Sequence, residues 1–347
     1  MQSSAVNLPK VGTQLREINT KTHIQPVKSV QWVAPSSLKT TQKKVAILLA
    51  TFQGQRYLEE QLNSYLEQSH QNWELWVSDD GSNDQTVTVL NDFKSKLPNK
   101  QMSIHHGPQE GFAANFLSLT CHADIQADYY AYSDQDDVWE KERLTKAVSW
   151  LGGISEDVPA LYTSRTLLVD ANNQPIGQSA LFRKPSSFAN ALVQTIGGAN
   201  TMAFNNAARK LIAKVSPTVD IVSHDWWAYL IVEGVGGKVF YDSAPQVRYR
   251  QHKNNLVGTN ATLRGKLRRL RMLWNGDFIH RNELNIRALE SVEEILTPEN
   301  RQLLHMFKEA RQSPFIKRLI LLKKIGIYRQ TFLGNLGLIV AALFRKI

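Results

Sequence analysis

The sequence predicts an α/β fold built on a doubly wound, mostly parallel sheet with helices on both faces, and three observations predict it. Short apolar runs alternate with segments whose apolar residues recur at helical spacing. The first run, Val45-Ala46-Ile47-Leu48-Leu49-Ala50, is apolar throughout, as a strand covered on both faces must be. Turn-forming or acidic residues follow successive runs at their carboxyl ends, where sheets of this kind bind ligands.

Residues 1–43 are rich in Ser, Thr, Gln, Lys and Pro with little periodicity, and read as a flexible extension. After the first strand, Thr51-Phe52-Gln53-Gly54 makes a turn, and Tyr57 to Gln68 puts Tyr57, Leu58, Leu62, Tyr65 and Leu66 on one helical face. Trp73 to Val77 is the next strand, running into Ser78-Asp79-Asp80-Gly81-Ser82. A helix over Thr86–Lys96, a strand over Met102–His106 and a helix over Gly111–Cys121 follow. The aromatic strand after them feeds Asp134-Gln135-Asp136-Asp137, and a helix is expected over Glu140–Trp150 with Asp137 as its N-cap. Ala160 to Asp170 reads as a strand, and Gly197-Gly198-Ala199-Asn200 as a turn that lets backbone approach a ligand closely. Asn205–Val215 reads as a helix, Ser223 opens an apolar helix to Val232, and Lys238–Tyr241 and Gln246–Arg250 read as two late strands. The expected domain therefore spans residues 44–262, ahead of a basic, amphipathic helical region at 263–347.

Charge separates the same two parts. The chain carries a net +10, and residues 263–347 hold 17 Lys/Arg against 7 Asp/Glu, whereas residues 1–262 hold 24 of each. The excess points to an anionic surface, lipid or nucleic acid, met by the C-terminal region alone. Cys121 is the only cysteine, which excludes an intrachain disulfide and a multi-cysteine metal site. No stretch offers the ~20 apolar residues of a membrane span, and no charged-then-apolar leader pattern opens the chain, so a cytoplasmic protein is expected. Within the C-terminal region, Gly265–Trp274 and Phe315–Lys324 mix apolar and basic residues, and Phe332–Phe344 is almost uncharged and ends in Arg345-Lys346. They read either as interfacial helices on the inner membrane surface or as a hairpin packed on the domain, its basic face solvated.

Three carboxylates within four positions, Asp134, Asp136 and Asp137, repel one another. Solvation in a loop relieves that, and so does a divalent cation. Asp134 and Asp136 turn to one side if strand geometry persists, and hard oxygen ligands suit Mg2+ or Mn2+.

Four ordered segments, Ala50-Thr51-Phe52, Ser78-Asp79-Asp80-Gly81-Ser82, Asp134-Gln135-Asp136-Asp137 and His224-Asp225, resemble the family 2 inverting glycosyltransferases of GT-A fold. The resemblance spans Lys44 to Thr259. Asp134 to Trp139 and Tyr249 to Asn255 are most similar to a bacterial rhamnosyltransferase-like branch, which uses a donor such as dTDP-rhamnose. The resemblance implies a nucleotide-diphosphate sugar donor (dTDP or UDP), a glycan or lipid-linked acceptor of surface-polysaccharide type, and a divalent cation as cofactor. It gives Asp80 to the pyrimidine N–H, with Thr51 or Ala50 lining that pocket and Phe52 lying against the base, unless Phe52 is ordinary core and Asp79-Asp80 a solvated turn.

By the same resemblance Asp136 holds the metal, assisted by Asp134, with His252 a third ligand, a diphosphate contact or a structural histidine. Asp137 binds the sugar or caps the following helix, and Arg250 neutralises phosphate or sits on a solvated face. Asp225 is the catalytic base, or only a helix cap. His224 replaces the glutamate common in relatives and would tune Asp225 or touch acceptor. Trp226 and Trp227 would stack on a sugar, or pack in the core. Processive synthases of this family carry Gln-x-x-Arg-Trp and membrane spans; neither occurs here, so transfer of one or very few sugars is expected, by an enzyme peripheral to the cytoplasmic face of the membrane. The competing readings are a nucleotidyltransferase, for which Ala50–Arg56 is a poor phosphate loop, and a non-catalytic lipid- or nucleic-acid-binding protein, which leaves the strand-end aspartates without a role.

Overall fold

A computed structural model describes residues 43–98, 101–215, 219–252 and 276–347. Its centre is β1 (Val45–Thr51), buried at every position. Alternate side chains go to opposite faces, as strand geometry requires. Ala46, Leu48 and Ala50 enter one core, and Val45, Ile47 and Leu49 the other. The second core is closed by α1 (Leu58–Leu66), α2 (Thr86–Ser95) and α4 (Arg143–Gly152). The first is closed by α3 (Phe112–Cys121), α5 (Phe188–Ala191), α6 (Asn206–Ile212) and α7 (His224–Gly234).

Beside β1 lie β2 (Trp73–Asp79) and β4 (Tyr129–Ser133), both parallel to it, with β3 (Met102–His106) parallel beyond β2. Thr51 is level with Asp79, and Leu49 with Ser133. Phe52, Asp80 and Asp134 therefore leave the sheet at one edge. The remaining strands are β5 (Val138–Trp139), β6 (Ala160–Val169), β7 (Pro175–Gln178), β8 (Ala203–Asn205) and β9 (Lys238–Arg250). Among the described residues the sheet order is β3-β2-β1-β4-β8-β6-β9-β5, with β7 on β6. β8 is antiparallel to both neighbours, so the sheet is mixed, with its parallel half at the N-terminal side of the fold.

Two expectations are corrected. Asp137 caps no helix: Val138 and Trp139 pair with Arg248 and Val247, and α4 begins only at Arg143. The two late strands are one, because β9 runs on along β6 through a register shift opposite Ser164 to Thr166.

C-terminal to these, α8 (Asp277–Glu290), α9 (Pro298–Gln312), α10 (Phe315–Ile325) and α11 (Phe332–Leu343) follow. Ile286, Leu289, Leu304, Phe307, Leu322 and Leu338 join the core on the α7 side. Gly265–Trp274 lies outside the described residues. No described helix is long and apolar enough to cross a membrane.

Candidate donor and catalytic site

The loop after β2 is held by its own backbone. Asp79 is buried and accepts from the Thr51 hydroxyl (2.8 Å), the Ser82 N–H (2.8 Å) and the Ser82 hydroxyl (2.7 Å). Thr51, expected to line the donor pocket, is likewise buried; its side chain serves Asp79. Asp80 N–H donates to Thr51 O (2.8 Å). The Asp80 carboxylate accepts from Gln109 N–H (2.6 Å) and Gly111 N–H (3.2 Å). Gly111 starts α3 at φ 93°, a region that favours glycine. Gly107 leaves room for this arrangement: a Cβ there would stand 2.6 Å from Asp80 Oδ1. Phe52 is 54% exposed and so is not core. Its backbone N–H and C=O are both taken by the Gln135 side chain at 2.9 Å, which ties the first motif to the third.

The loop after β4 concentrates charge. Burial, then Asp136 and Asp225, push the Asp134 carboxyl up to about 7, with Arg143 opposing them. Asp136 Oδ2 lies 2.7 Å from His252 Nε2. The Tyr57 ring packs against the His252 ring (5.1 Å between centroids), and the Arg250 guanidinium lies 4.6 Å from the Tyr57 ring.

Two residues expected to touch donor do not face it. Asp137 is fully buried and accepts from Asn200 Nδ2 (2.5 Å) and Arg250 N–H (3.1 Å). Arg250 is buried too, bonding Asp136 O and Ala171 O (both 3.0 Å) and pairing with Glu60. They are struts that bind β9 to the acidic loop. Arg143, read only as a helix residue from sequence, is a third. Buried, its guanidinium donates to Tyr132 O (3.1 Å) and Asn200 O (2.8 Å) and lies 3.5 Å over the Trp139 ring. Burial pulls its pKa down to about 9.

The third carboxylate comes from the start of α7. Asp225 is half-buried, and burial raises its pKa against opposing hydrogen bonds from Ser223 and the Trp226 N–H (2.8 Å). Its charge is felt at Asp134, so the end of β4 and the start of α7 share one electrostatic site. His224 is buried, stacked on Phe116 (3.8 Å) and edge-on to Tyr132 (4.8 Å), with no hydrogen-bond partner for either ring nitrogen. Burial pulls its pKa down to about 3 and keeps it neutral. Phe112, next to the Gly111 that holds Asp80, is 6.1 Å from the same ring, so α3 connects the Asp80 loop to α7.

Trp226 and Trp227 are not a sugar platform. Both are buried, and their indole N–H groups donate to Ala191 O (2.6 Å) and Ile212 O (3.0 Å). Tryptophan buried with its N–H satisfied offers no face to a ligand.

Among the described residues no three metal-ligating side chains converge. Asp136 with His252, beside Asp134, nevertheless suits a cation that keeps waters and takes substrate phosphate oxygens: a hard carboxylate and an imidazole are donors Mn2+ accepts.

Strand-end carboxylates on a mixed α/β sheet, gathered around one edge, suit an enzyme that handles a charged donor, and the comparisons bear on which one. Residues 46–180 match the model for glycosyl transferase family 2. Residues 46–180 thus carry a family 2 glycosyltransferase region, and the nucleotidyltransferase and non-catalytic readings are set aside. The chain is 29% identical over 237 residues to the dTDP-rhamnosyl transferase RfbG of Shigella flexneri, covering 65% of this chain and 79% of that protein. It is 23% identical over 137 residues to the Escherichia coli UDP-Glc:alpha-D-GlcNAc-diphosphoundecaprenol beta-1,3-glucosyltransferase WfgD, covering 39% of this chain and 49% of that one. The mannosyltransferase PcManGT of Pyrobaculum calidifontis, solved with GDP-Man and Mn2+, aligns over 89% of each chain at 14% identity with a TM-score of 0.47.

Proposed function

We propose that the protein is an inverting, cation-dependent enzyme that moves one rhamnose from dTDP-rhamnose to a lipid-linked or growing surface-polysaccharide acceptor. It acts at the cytoplasmic face of the plasma membrane, with residues 44–262 catalytic and the C-terminal region making the membrane contact. What supports this is the delivery of Asp80, Asp134 and Asp136 to one sheet edge by β2 and β4, with Asp225 at the start of α7 near enough to raise Asp134. The similarity to a dTDP-rhamnosyl transferase supports the choice of donor.

In this reading Phe52 lies against the base, and Asp80 accepts its ring N–H. Each Asp80 oxygen already takes one backbone N–H and keeps a lone pair for that contact. Asp136, with His252 and Asp134 beside it, would hold Mn2+ or Mg2+, which supplies positive charge for the departing diphosphate. Arg143, Arg250 and Asp137 fix the loop that carries those ligands. Asp225 takes the proton from the acceptor hydroxyl as that oxygen attacks the anomeric carbon on the side away from the diphosphate. Its raised pKa brings it closer to working pH, where a general base is most effective. His224, neutral and wedged between Phe116 and Tyr132, sets the position of α7 and hence of Asp225.

Mass spectrometry of product from a panel of nucleotide sugars tests the donor, and NMR of the new linkage tests the stereochemistry. Transfer from dTDP-rhamnose with inversion is expected. Selective transfer from another donor would overturn the donor assignment, and retained anomeric configuration would overturn Asp225 as base.

A further inference from the structure

The C-terminal helices expose what a soluble surface ordinarily hides. α11 is apolar on nearly all sides, and such a helix is normally buried. Here Leu338, Ala341 and Ala342 face the core, while Phe332, Leu333, Leu336, Ile339 and Leu343 are exposed. Phe332 is 83% exposed and Leu333 62%. Phe332, Leu336, Ile339 and Leu343 follow one another at helical spacing and form a single stripe. α10 repeats the pattern: Leu322 and Ile325 are buried, but Ile316 is 71% exposed and Ile320 61%. Among the described residues, nine of the fifteen large apolar side chains that are exposed lie between Phe315 and Phe344, so this is a patch and not background.

The exposure does not come from a loose end. Buried Arg318 donates from α10 to Ala342 O (2.8 Å) and to Ser313 O (3.0 Å). Arg345 donates to Gln312 O (3.1 Å). These bonds hold the two helices to each other and to the end of α9, with the apolar stripes outward.

Charge identifies the occupant. From Gln312 to Ile347 the chain has seven Lys or Arg and no Asp or Glu. Lys317 pairs with Glu309 of the preceding helix (2.7 Å), and Lys323 and Lys324 are exposed beside the α10 stripe. A protein interface draws on Tyr and Trp anchors and mixes both charge signs at its rim. This patch has Phe, Leu and Ile with one sign of charge. That composition suits the headgroup boundary of an anionic bilayer, where apolar side chains enter the acyl region and basic ones stay with phosphate. Helices of 11 and 12 residues are too short to span, so they lie on the surface.

We propose that α10 and α11 form a preformed two-helix docking face for anionic lipid, with Ile316, Ile320, Phe332, Leu333, Leu336 and Ile339 as the inserting residues. This deepens the membrane-surface reading above by assigning the contact to these two helices. The test is co-sedimentation of the full chain with phosphatidylcholine vesicles, with and without phosphatidylglycerol. The chain should partition onto the anionic vesicles and less at raised salt. Ile316→Ser with Ile320→Ser, and separately Phe332→Ser with Leu333→Ser, should each weaken binding at least about tenfold, since two large apolar side chains are lost. Lys323→Glu with Lys324→Glu should weaken it on anionic vesicles only. Since the apolar positions are exposed, unchanged circular dichroism and Tm should accompany the loss. A chain that stays in the supernatant overturns the proposal, as do serine variants that bind like the parent. A parental dimer that Phe332→Ser dissociates, seen by sedimentation velocity, would also overturn it and give the face to a second copy. Turnover on a soluble acceptor, measured alongside, should be unaffected in all three variants. If the parent binds vesicles yet transfers nothing, the catalytic reading fails and the docking face stands.

Discussion

β2 and β4 flank β1 and deliver carboxylates to the same sheet edge, yet the surroundings of those carboxylates differ in kind. After β2, Asp79 and Asp80 accept hydrogen bonds from Thr51, Ser82, Gln109 and Gly111, so that loop is complete within the protein. After β4, Asp134, Asp136 and Asp137 act on one another, and Asp134 also feels Asp225. Arg143 opposes the rise at Asp134 without cancelling it. A satisfied loop recognises by shape and hydrogen bonding. A loop whose crowded carboxyls are pushed toward protonation gains from positive charge brought in, which the proposed cation would supply.

The largest expected effect falls on the carboxylate facing the charged loop. Asp225→Asn should slow transfer roughly 10²–10⁴-fold while donor binding persists, because only the proton acceptor is removed. Single-turnover rates alongside a donor titration check this; full turnover would place the base elsewhere. On the satisfied side, Asp80→Ala should act on binding. Loss of a charge-assisted hydrogen bond, worth about 1.5–3 kcal/mol, raises donor KM roughly 10–100-fold with a smaller change in kcat. Gly107→Ala should move KM in the same direction by less, since its Cβ crowds the Asp80 carboxylate.

The smallest effect is on stability, and its sign separates the two loops. Asp134 is raised from 3.8 to about 7, so between those values the folded protein keeps a proton that the unfolded chain has released. Stability in chelator must then fall as pH rises through that window. Asp134→Asn removes the dependence, and thermal melts in chelator at about pH 8 should show a Tm a few degrees higher than the parent, with little difference near pH 4. A lower Tm for the variant at pH 8 would mean that Asp134 is as well satisfied as Asp80.

Much of this was legible in the residues. Apolar runs gave the parallel half of the sheet, because strands buried on both faces leave an unmistakable pattern, and the aspartates stood at their ends. What could not be read was contact over long sequence distance. Nothing local marks Glu60 as the partner of Arg250, or Arg143 as the residue that joins β4 to the backbone at Asn200. Asp137 looked like a helix cap because its true partners, Asn200 and Arg250, come from elements far along the chain. Trp226 and Trp227 invited a ligand role because they follow Asp225. α7, however, is covered by α5 and α6, and carbonyls from Ala191 and Ile212 receive their N–H groups. Phe52 went the other way: an aromatic after a buried strand, it stays out of the core because Gln135 holds its backbone at the rim.

Calorimetry of dTDP binding, with Mn2+ and with chelator, tests most directly whether the charged loop after β4 is completed by a cation and a nucleoside diphosphate. Binding should be tight with Mn2+ and at least about 100-fold weaker in chelator, and Asp136→Ala with Mn2+ should resemble the parent without it. Equal affinity in chelator, or an Asp136→Ala variant that binds like the parent, would contradict it.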